Sequence, residues 1–178
     1  MRFYEALDLE PKLALDLDDL KRRFYERSRQ WHPDRFSRAS PEEQEKALEM
    51  TAVLNDAFRT LRDPFARASY FFKESGIDLP KEAPPDVLKE FFELNMELEE
   101  LRGGDESVRP QVATAYERIL EMRQTTDTAL AGLFELYDRN EEMRPTLIAT
   151  AGDLLNVRRY LANYLRVAGK ELNVPLPN

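Results

Sequence analysis

The sequence predicts an all-α protein, and three observations support that prediction. Apolar residues recur at spacings of three and four along most of the 178 residues, as on one face of an α-helix. No stretch shows the sustained alternation of β-branched residues that is typical of strands. Polar N-cap residues and prolines stand where the apolar repeats begin and end. We expect a helical hairpin with short flanking helices in residues 1–75, a linker in 76–85 and a three-helix bundle in 86–178.

The N-terminal unit begins with a short helix or turn around Phe3 and Leu7. Asp16 is the N-cap of a second helix, because its side chain can accept from the free N–H groups of the next turn. Pro33 ends this helix, since the residue before a proline is displaced from α geometry. A third helix starts at Ser40, which is followed by a first-turn proline and a capping-box glutamate.

The rest of the chain continues as helices with clear interruptions. Residues 65–75 predict a shorter connecting helix that Gly76 stops, and the proline-rich residues 79–85 indicate a linker. Three longer patterns follow in residues 86–102, 107–140 and 145–172. Short connections between three such helices favour an antiparallel bundle.

Composition excludes several classes of function. The chain has no cysteine and a single histidine, so thiolate sites are absent and we expect neither a metal nor a cofactor. The formal net charge of −8 disfavours nucleic acid and anionic membranes as partners. No apolar run is long enough to span a bilayer, and the N-terminus does not look like a signal peptide, so we expect a cytoplasmic protein.

The first candidate site lies at the end of the second helix. Residues 21–38 contain seven basic and two acidic residues, so this segment is cationic although the whole chain is anionic. A cationic stripe of this kind suits attraction to an acidic partner surface. The segment leads into His32, Pro33 and Asp34 in a polar loop. Alternatively, the charges only solvate a helix and the histidine is structural.

At this point the residues resemble a J domain. The resemblance covers about the first 75 residues and rests on His32-Pro33-Asp34 between two helices, with the runs 3–7, 54–58 and 61–64 around it. It implies an antiparallel helix pair that docks on a DnaK/HscA-type chaperone and accelerates its ATP hydrolysis. The residues that it implies as chaperone contacts are His32, Pro33, Asp34, Lys21, Arg22, Arg23, Arg27 and Arg35.

The second candidate site lies on the first helix of the bundle, which carries two apolar stripes. Val87, Phe91, Leu94, Leu98 and Leu101 form the stripe that faces the core. A second stripe, about 140° away, contains Leu88, Phe92 and Met96 among glutamates. This second stripe is either buried against a neighbouring element or exposed as a protein-binding surface.

The whole chain is similar to the HscB-type co-chaperones of iron–sulfur cluster assembly. The similarity rests on the two-unit organisation, on Asp63, Pro64, Arg67, Ala68 and Tyr70 in one run, and on the following residues 76–79. It implies that the bundle holds the iron–sulfur cluster scaffold protein. The implied contacts are Leu88, Phe92, Glu93, Met96, Glu100, Arg159 and Tyr160.

Other functions remain as alternatives. A J-domain co-chaperone for another client is favoured if the second stripe is buried. An enzyme that uses His32 and Asp34 would need a convergent pocket, and none is detectable in the sequence. We therefore expect a co-chaperone without catalytic activity of its own.

Overall fold

The computed structural model describes residues 1–80 and 82–175, and every regular element in these ranges is helical. The all-α prediction is confirmed. Two short 3₁₀ segments, Pro33–Phe36 and Glu106–Val108, precede α3 and α6. The seven α-helices are α1 Arg2–Ala6, α2 Leu17–Gln30, α3 Pro41–Arg62, α4 Pro64–Glu74, α5 Pro85–Arg102, α6 Arg109–Arg139 and α7 Arg144–Leu172.

The chain divides into two compact units, Met1–Asp78 and Leu79–Asn178. The first contains α1 to α4 and the second contains α5 to α7. The segment expected as a linker, residues 76–85, is therefore shared between the units, and most of it belongs to the second.

Local capping explains where α2 and α3 begin. The Asp16 carboxylate accepts from the backbone N–H of Asp18 at 2.9 Å and of Asp19 at 3.2 Å. Ser40 and Glu43 form a reciprocal capping box, with bonds of 3.3 and 3.0 Å. Each cap satisfies amide groups that the first turn leaves unpaired.

Helices α2 and α3 form an antiparallel hairpin. Phe24 in the middle of α2 stacks on Phe58 near the end of α3, with ring centroids 4.3 Å apart. At the other end of the hairpin, the Thr51 hydroxyl donates to the Trp31 carbonyl at 3.1 Å. Leu20 and Leu54 are almost fully buried in the core of this unit.

Helix α4 closes the first unit through a buried arginine. Asp63 caps the helix by accepting from the N–H groups of the two residues that follow Pro64. Arg67 is only 5% exposed and donates to the carbonyls of Leu13 at 2.7 Å and Leu61 at 2.6 Å. Charge-assisted bonds of this kind compensate for the burial of the guanidinium. The Asp-Pro-x-x-Arg run therefore has a structural role.

The second unit is a three-helix bundle. Helices α6 and α7 run antiparallel, since Arg158 Nε lies 2.7 Å from the Asp127 carboxylate while Arg109 donates to the carbonyl of Glu171. Helix α5 packs against both, and Phe91 contacts the ring of Tyr164. The core stripe predicted on α5 is confirmed, because Phe91, Leu94, Leu98 and Leu101 are buried and Val87 packs against the same cluster.

The segment before α5 packs against α7. A Cβ added to Gly152 would lie 2.3 Å from Cδ of Pro80, so only glycine allows this approach. The Asn156 side chain is buried and donates to the carbonyls of Pro80 and Glu82. Ala83 is buried as well. These contacts hold the segment on the bundle.

Candidate protein-interaction sites

The His-Pro-Asp turn, residues 32–36, connects α2 to the loop before α3. His32 is the N-cap of the 3₁₀ segment Pro33–Phe36, with Pro33 at its first position. Proline fits there because its fixed φ matches the turn and its missing N–H needs no partner. The tripeptide is therefore the start of a short helical turn.

Aromatic packing holds the turn in place. The rings of Trp31 and Phe36 stack at 5.8 Å with an interplanar angle of 8°. The ammonium group of Lys46 lies 5.9 Å from the Trp31 ring centroid, within cation–π range. The turn is thus anchored from both ends.

The polar tips of the turn face solvent. The side chain of His32 is 58% exposed and that of Asp34 is 91% exposed. Nδ1 of His32 accepts from the Asp34 backbone N–H at 3.3 Å and lies 3.6 Å from the Asp34 carboxylate. Both side chains are therefore accessible to another molecule.

The five basic residues named from the sequence differ in their surroundings. Lys21 and Arg35 are exposed. Arg22 bonds to Asp19 and Glu26, and these bonds raise its pKa. All three of these side chains remain open to solvent and can face a partner.

Arg23 and Arg27 are less available for contact with a partner than the sequence suggested. Arg23 bonds to Asp8 and to Asp19. Its bond to Asp19 is the main cause of the lowered pKa of the Asp19 carboxyl. Arg27 is half-buried and donates to the Ala6 carbonyl at 3.0 Å. These two arginines tie α2 to the segment around α1.

Sequence reasoning missed two features of the same helix. Tyr25 is 53% exposed and Leu17 is 52% exposed. With Lys21 and Arg29 they occupy positions 17, 21, 25 and 29, which is one row of an α-helix. The four-residue spacing was the signal that could have found this mixed apolar and cationic row.

The second candidate site is the α5 patch, which we define as Leu88, Phe92, Glu93, Met96 and Glu100. Phe92 is 66% exposed and Met96 is 53% exposed, whereas Leu88 is half-buried. The two large apolar side chains are therefore not part of the bundle core. Adjacent exposed apolar residues among carboxylates have the composition of a protein-binding surface.

A shallow cavity of about 520 Å³ lies on this helix. It is lined by Phe92, Met96 and Glu100 together with Asn95 and Glu99. Asn95 and Glu99 were missed, although Asn95 lies three residues after Phe92 and Glu99 three residues after Met96, which puts them on a neighbouring row. The concave part of the patch is thus centred on its Met96 end.

Arg159 and Tyr160 lie on α7. Tyr160 is half-buried, and its ring lies 5.7 Å from that of Phe91, the residue before Phe92. The Arg159 guanidinium lies 5.6 Å from the Tyr160 ring centroid. Tyr160 therefore contacts the face of α5 that is turned toward the core of the bundle.

The described residues contain no group of three or more His, Cys, Asp or Glu side chains that could hold a metal ion. None of the helices in the same ranges is long and apolar enough to cross a membrane.

Comparisons with known proteins show the family to which the chain belongs. Residues 2–70 match the family model of the DnaJ domain, so the class is that of J-domain proteins. The co-chaperone protein HscB homolog of Neisseria meningitidis serogroup C is 34% identical over 111 residues, which cover 59% of this chain and 66% of that protein. The chain belongs to the HscB-type J-domain co-chaperones.

Two solved structures share the fold. Chaperone HscB from Vibrio cholerae superimposes with a TM-score of 0.71 at 24% identity, covering 96% of both chains. The human co-chaperone protein HscB gives the same TM-score at 22% identity, covering 97% of this chain and 83% of that one. At these identities the likeness concerns the arrangement of the helices.

Proposed function

We propose that this co-chaperone stimulates the ATPase of a DnaK/HscA-type chaperone and delivers the iron–sulfur cluster scaffold protein to it, aiding cluster assembly and transfer. In this proposal residues 1–75 engage the chaperone, 76–85 connect the units, and 86–178 hold the scaffold. The protein acts in the cytoplasm and catalyses no reaction itself. The observation that carries the proposal is the exposed, anchored His-Pro-Asp turn at the end of a cationic helix.

The turn has the properties of an allosteric contact. An activator shifts a partner's equilibrium only through contacts that differ between the partner's two states. Exposed polar groups on a fixed turn can make such contacts without first ordering a loop, which would cost conformational entropy. Trp31 and Phe36 supply that order before binding.

The basic row on α2 supports the approach of the two proteins. Lys21 and Arg29 in this row, and Arg35 in the turn that follows α2, are exposed on a chain whose net charge is −8. Local positive charge on an anionic molecule orients it toward an acidic surface and raises the association rate. Tyr25 in the same row adds apolar area to the contact.

The α5 patch supports the scaffold half of the proposal. Phe92 and Met96 supply exposed apolar area, and Glu93 and Glu100 are exposed beside them. Apolar anchors surrounded by carboxylates suit a partner that offers apolar side chains next to basic ones. Arg159 and Tyr160 on α7 would extend the contact beyond α5.

ATP hydrolysis by a DnaK/HscA-type chaperone tests the proposal directly. Single-turnover rates are measured with the chaperone alone, with the wild-type co-chaperone and with Asp34→Asn. We expect Asp34→Asn to lose the stimulation while its helicity is unchanged, since the Asp34 side chain is 91% exposed. Asp18→Asn, an exposed acid in the first turn of α2, is the matched control and should keep the stimulation. Equal stimulation by both variants would remove the role assigned to the turn.

A further inference from the structure

Helix α2 carries an exposed ridge in which apolar and cationic side chains alternate. We call this ridge the α2 row; its members are Leu17, Lys21, Tyr25 and Arg29, and all four are exposed. Their four-residue spacing forms one continuous ridge that is about 18 Å long. Among the residues that the structure describes, Lys21 and Arg29 have no hydrogen bond or ion pair. Their charges are therefore free for another molecule.

The α5 patch carries a ridge of the same spacing and the opposite charge. Leu88, Phe92, Met96 and Glu100 also lie four residues apart, so this ridge has the same length of about 18 Å. Glu93 lies beside it, next to Phe92. Within residues 1–80 and 82–175, Glu93 and Glu100 are exposed and have no hydrogen bond or ion pair. The two ridges are thus alike in shape and complementary in charge.

The side chains of the two ridges match when the helices are aligned in the same direction. The pairs that then face each other are Leu17–Leu88, Lys21–Phe92, Tyr25–Met96 and Arg29–Glu100. They correspond in order to an apolar contact, a cation–π contact, a sulfur–aromatic contact and an ion pair. The reverse direction places all three charges opposite apolar side chains. Charge and apolar area therefore both favour the first alignment.

We propose that the α2 row of one copy of this protein docks on the α5 patch of a second copy. Four residues from each helix are far fewer than the about 20–30 residues on each side of a stable interface. The association is therefore weak and reversible, and salt weakens it because its charges are exposed. A contact between two different surfaces forms either a reciprocal pair or a longer chain of copies.

The consequence for regulation rests on the proposed function, in which the α2 row faces the chaperone and the α5 patch holds the scaffold protein. Copies without scaffold cover each other's α2 rows. Scaffold that binds an α5 patch displaces the α2 row docked there, because both need Phe92 and Met96. The scaffold protein thereby raises the fraction of co-chaperone that is free to engage the chaperone.

Sedimentation equilibrium of the full-length protein tests the association without any partner. At low ionic strength, we expect the average mass of the wild type to rise with concentration from that of one copy toward that of two or more. At high ionic strength, the mass should stay that of one copy. A mass of one copy at every concentration and ionic strength would overturn the proposal and leave the α5 patch to the scaffold alone.

Two charge-reversal variants show which surfaces meet. In Lys21→Glu with Arg29→Glu, and in Glu93→Lys with Glu100→Lys, the α2 row and the α5 patch carry charge of the same sign. Each variant alone should therefore keep the mass of one copy. An equimolar mixture should associate, because the first variant keeps the α5 patch and the second keeps the α2 row. A mixture of folded variants that stays at the mass of one copy would overturn the proposed contact.

Matched controls reverse exposed charges elsewhere on the bundle. Arg166→Glu on α7 and Glu121→Lys on α6 change the net charge in the same directions and should associate as the wild type does. Circular dichroism checks that every variant keeps its helices. Association lost equally in the controls would overturn the assignment to the two ridges.

Failure of the proposed function would look different. In that case the wild type would leave the ATPase of the chaperone unchanged and bind no scaffold protein. The masses of the wild type, of the variants and of their mixture would still follow the expected pattern.

Discussion

Replacing Phe92 and Met96 by alanine together should weaken scaffold binding and leave the bundle stable. Phe92 is 66% exposed and Met96 is 53% exposed, so their truncation removes little of the core. Phe91, the adjacent residue, is 3% exposed and packs against Tyr160 and Tyr164. Neighbouring positions on α5 should therefore give opposite results in binding and stability.

The expected magnitude follows from the exposed areas. A phenylalanine side chain buries roughly 150–250 Å² when fully covered. Two thirds of that area, at about 25 cal/mol per Å², corresponds to about 3 kcal/mol. Met96 is about half exposed, so half of the hydrophobic free energy of burying a methionine side chain adds about 1 kcal/mol. Because a partner covers only part of this area, we expect the double variant to lose about 2 kcal/mol, which is about 30-fold in Kd.

Isothermal titration of purified scaffold protein into the co-chaperone measures this loss, and urea unfolding measures stability. Phe91→Ala is the control, with an expected loss of about 3–5 kcal/mol in unfolding free energy. The double variant should change the unfolding free energy by about 0.5 kcal/mol at most. Unchanged affinity together with a large loss of stability would refute the assignment of the α5 patch to a partner.

Three further perturbations test other parts of the structure. Lys21→Ala with Arg29→Ala should lower the rate of association with the chaperone and flatten its dependence on salt, as stopped-flow binding would show; an effect confined to dissociation would contradict steering. Gly152→Ala should destabilise the protein by about 1–3 kcal/mol through its clash with the connecting segment, whereas Gly132→Ala on open α6 surface should be neutral or stabilising. Tyr164→Phe should stabilise by about 1 kcal/mol, because the wild-type hydroxyl is buried with no hydrogen-bond partner among the described residues. Burial raises the pKa of Tyr164 from 10.0 to about 12, so the unfolded chain ionises first. The unfolding free energy of the wild type should therefore fall as the pH rises from 10 to about 12. In Tyr164→Phe the contribution of Tyr164 to this fall should be absent.

Local signals in the sequence predicted most helix boundaries correctly. The caps at Asp16 and Ser40 depend only on residues within one turn, and so does the stop at Gly76, whose φ is +69°. The three helices of the bundle begin and end within a few residues of the expected positions. These features can be predicted from the sequence because each depends on residues that are close together in the chain.

Contacts between residues far apart in the chain could not be predicted from the sequence. The sequence does not indicate that Arg27 bonds to the Ala6 carbonyl or that Asn156 holds residues 80 and 82, because each bond depends on how two segments pack. The same limit applies to the second stripe on α5. Its composition allowed either burial or exposure, and the packed structure leaves Phe92 66% exposed.

The motif residues that identify the family divide according to exposure. Arg67 and Ala68 are buried, and Arg67 bonds to two distant carbonyls, so these residues hold α4 against the rest of the unit. The side chains of His32 and Asp34 are exposed to solvent, so their polar groups contribute little to the stability of this chain. An exposed residue that contributes little to the stability of its own chain can be exchanged without unfolding it. Substitutions at His32 and Asp34 can therefore be interpreted as effects on a partner, whereas a loss of function at Arg67 would first have to be separated from a loss of fold.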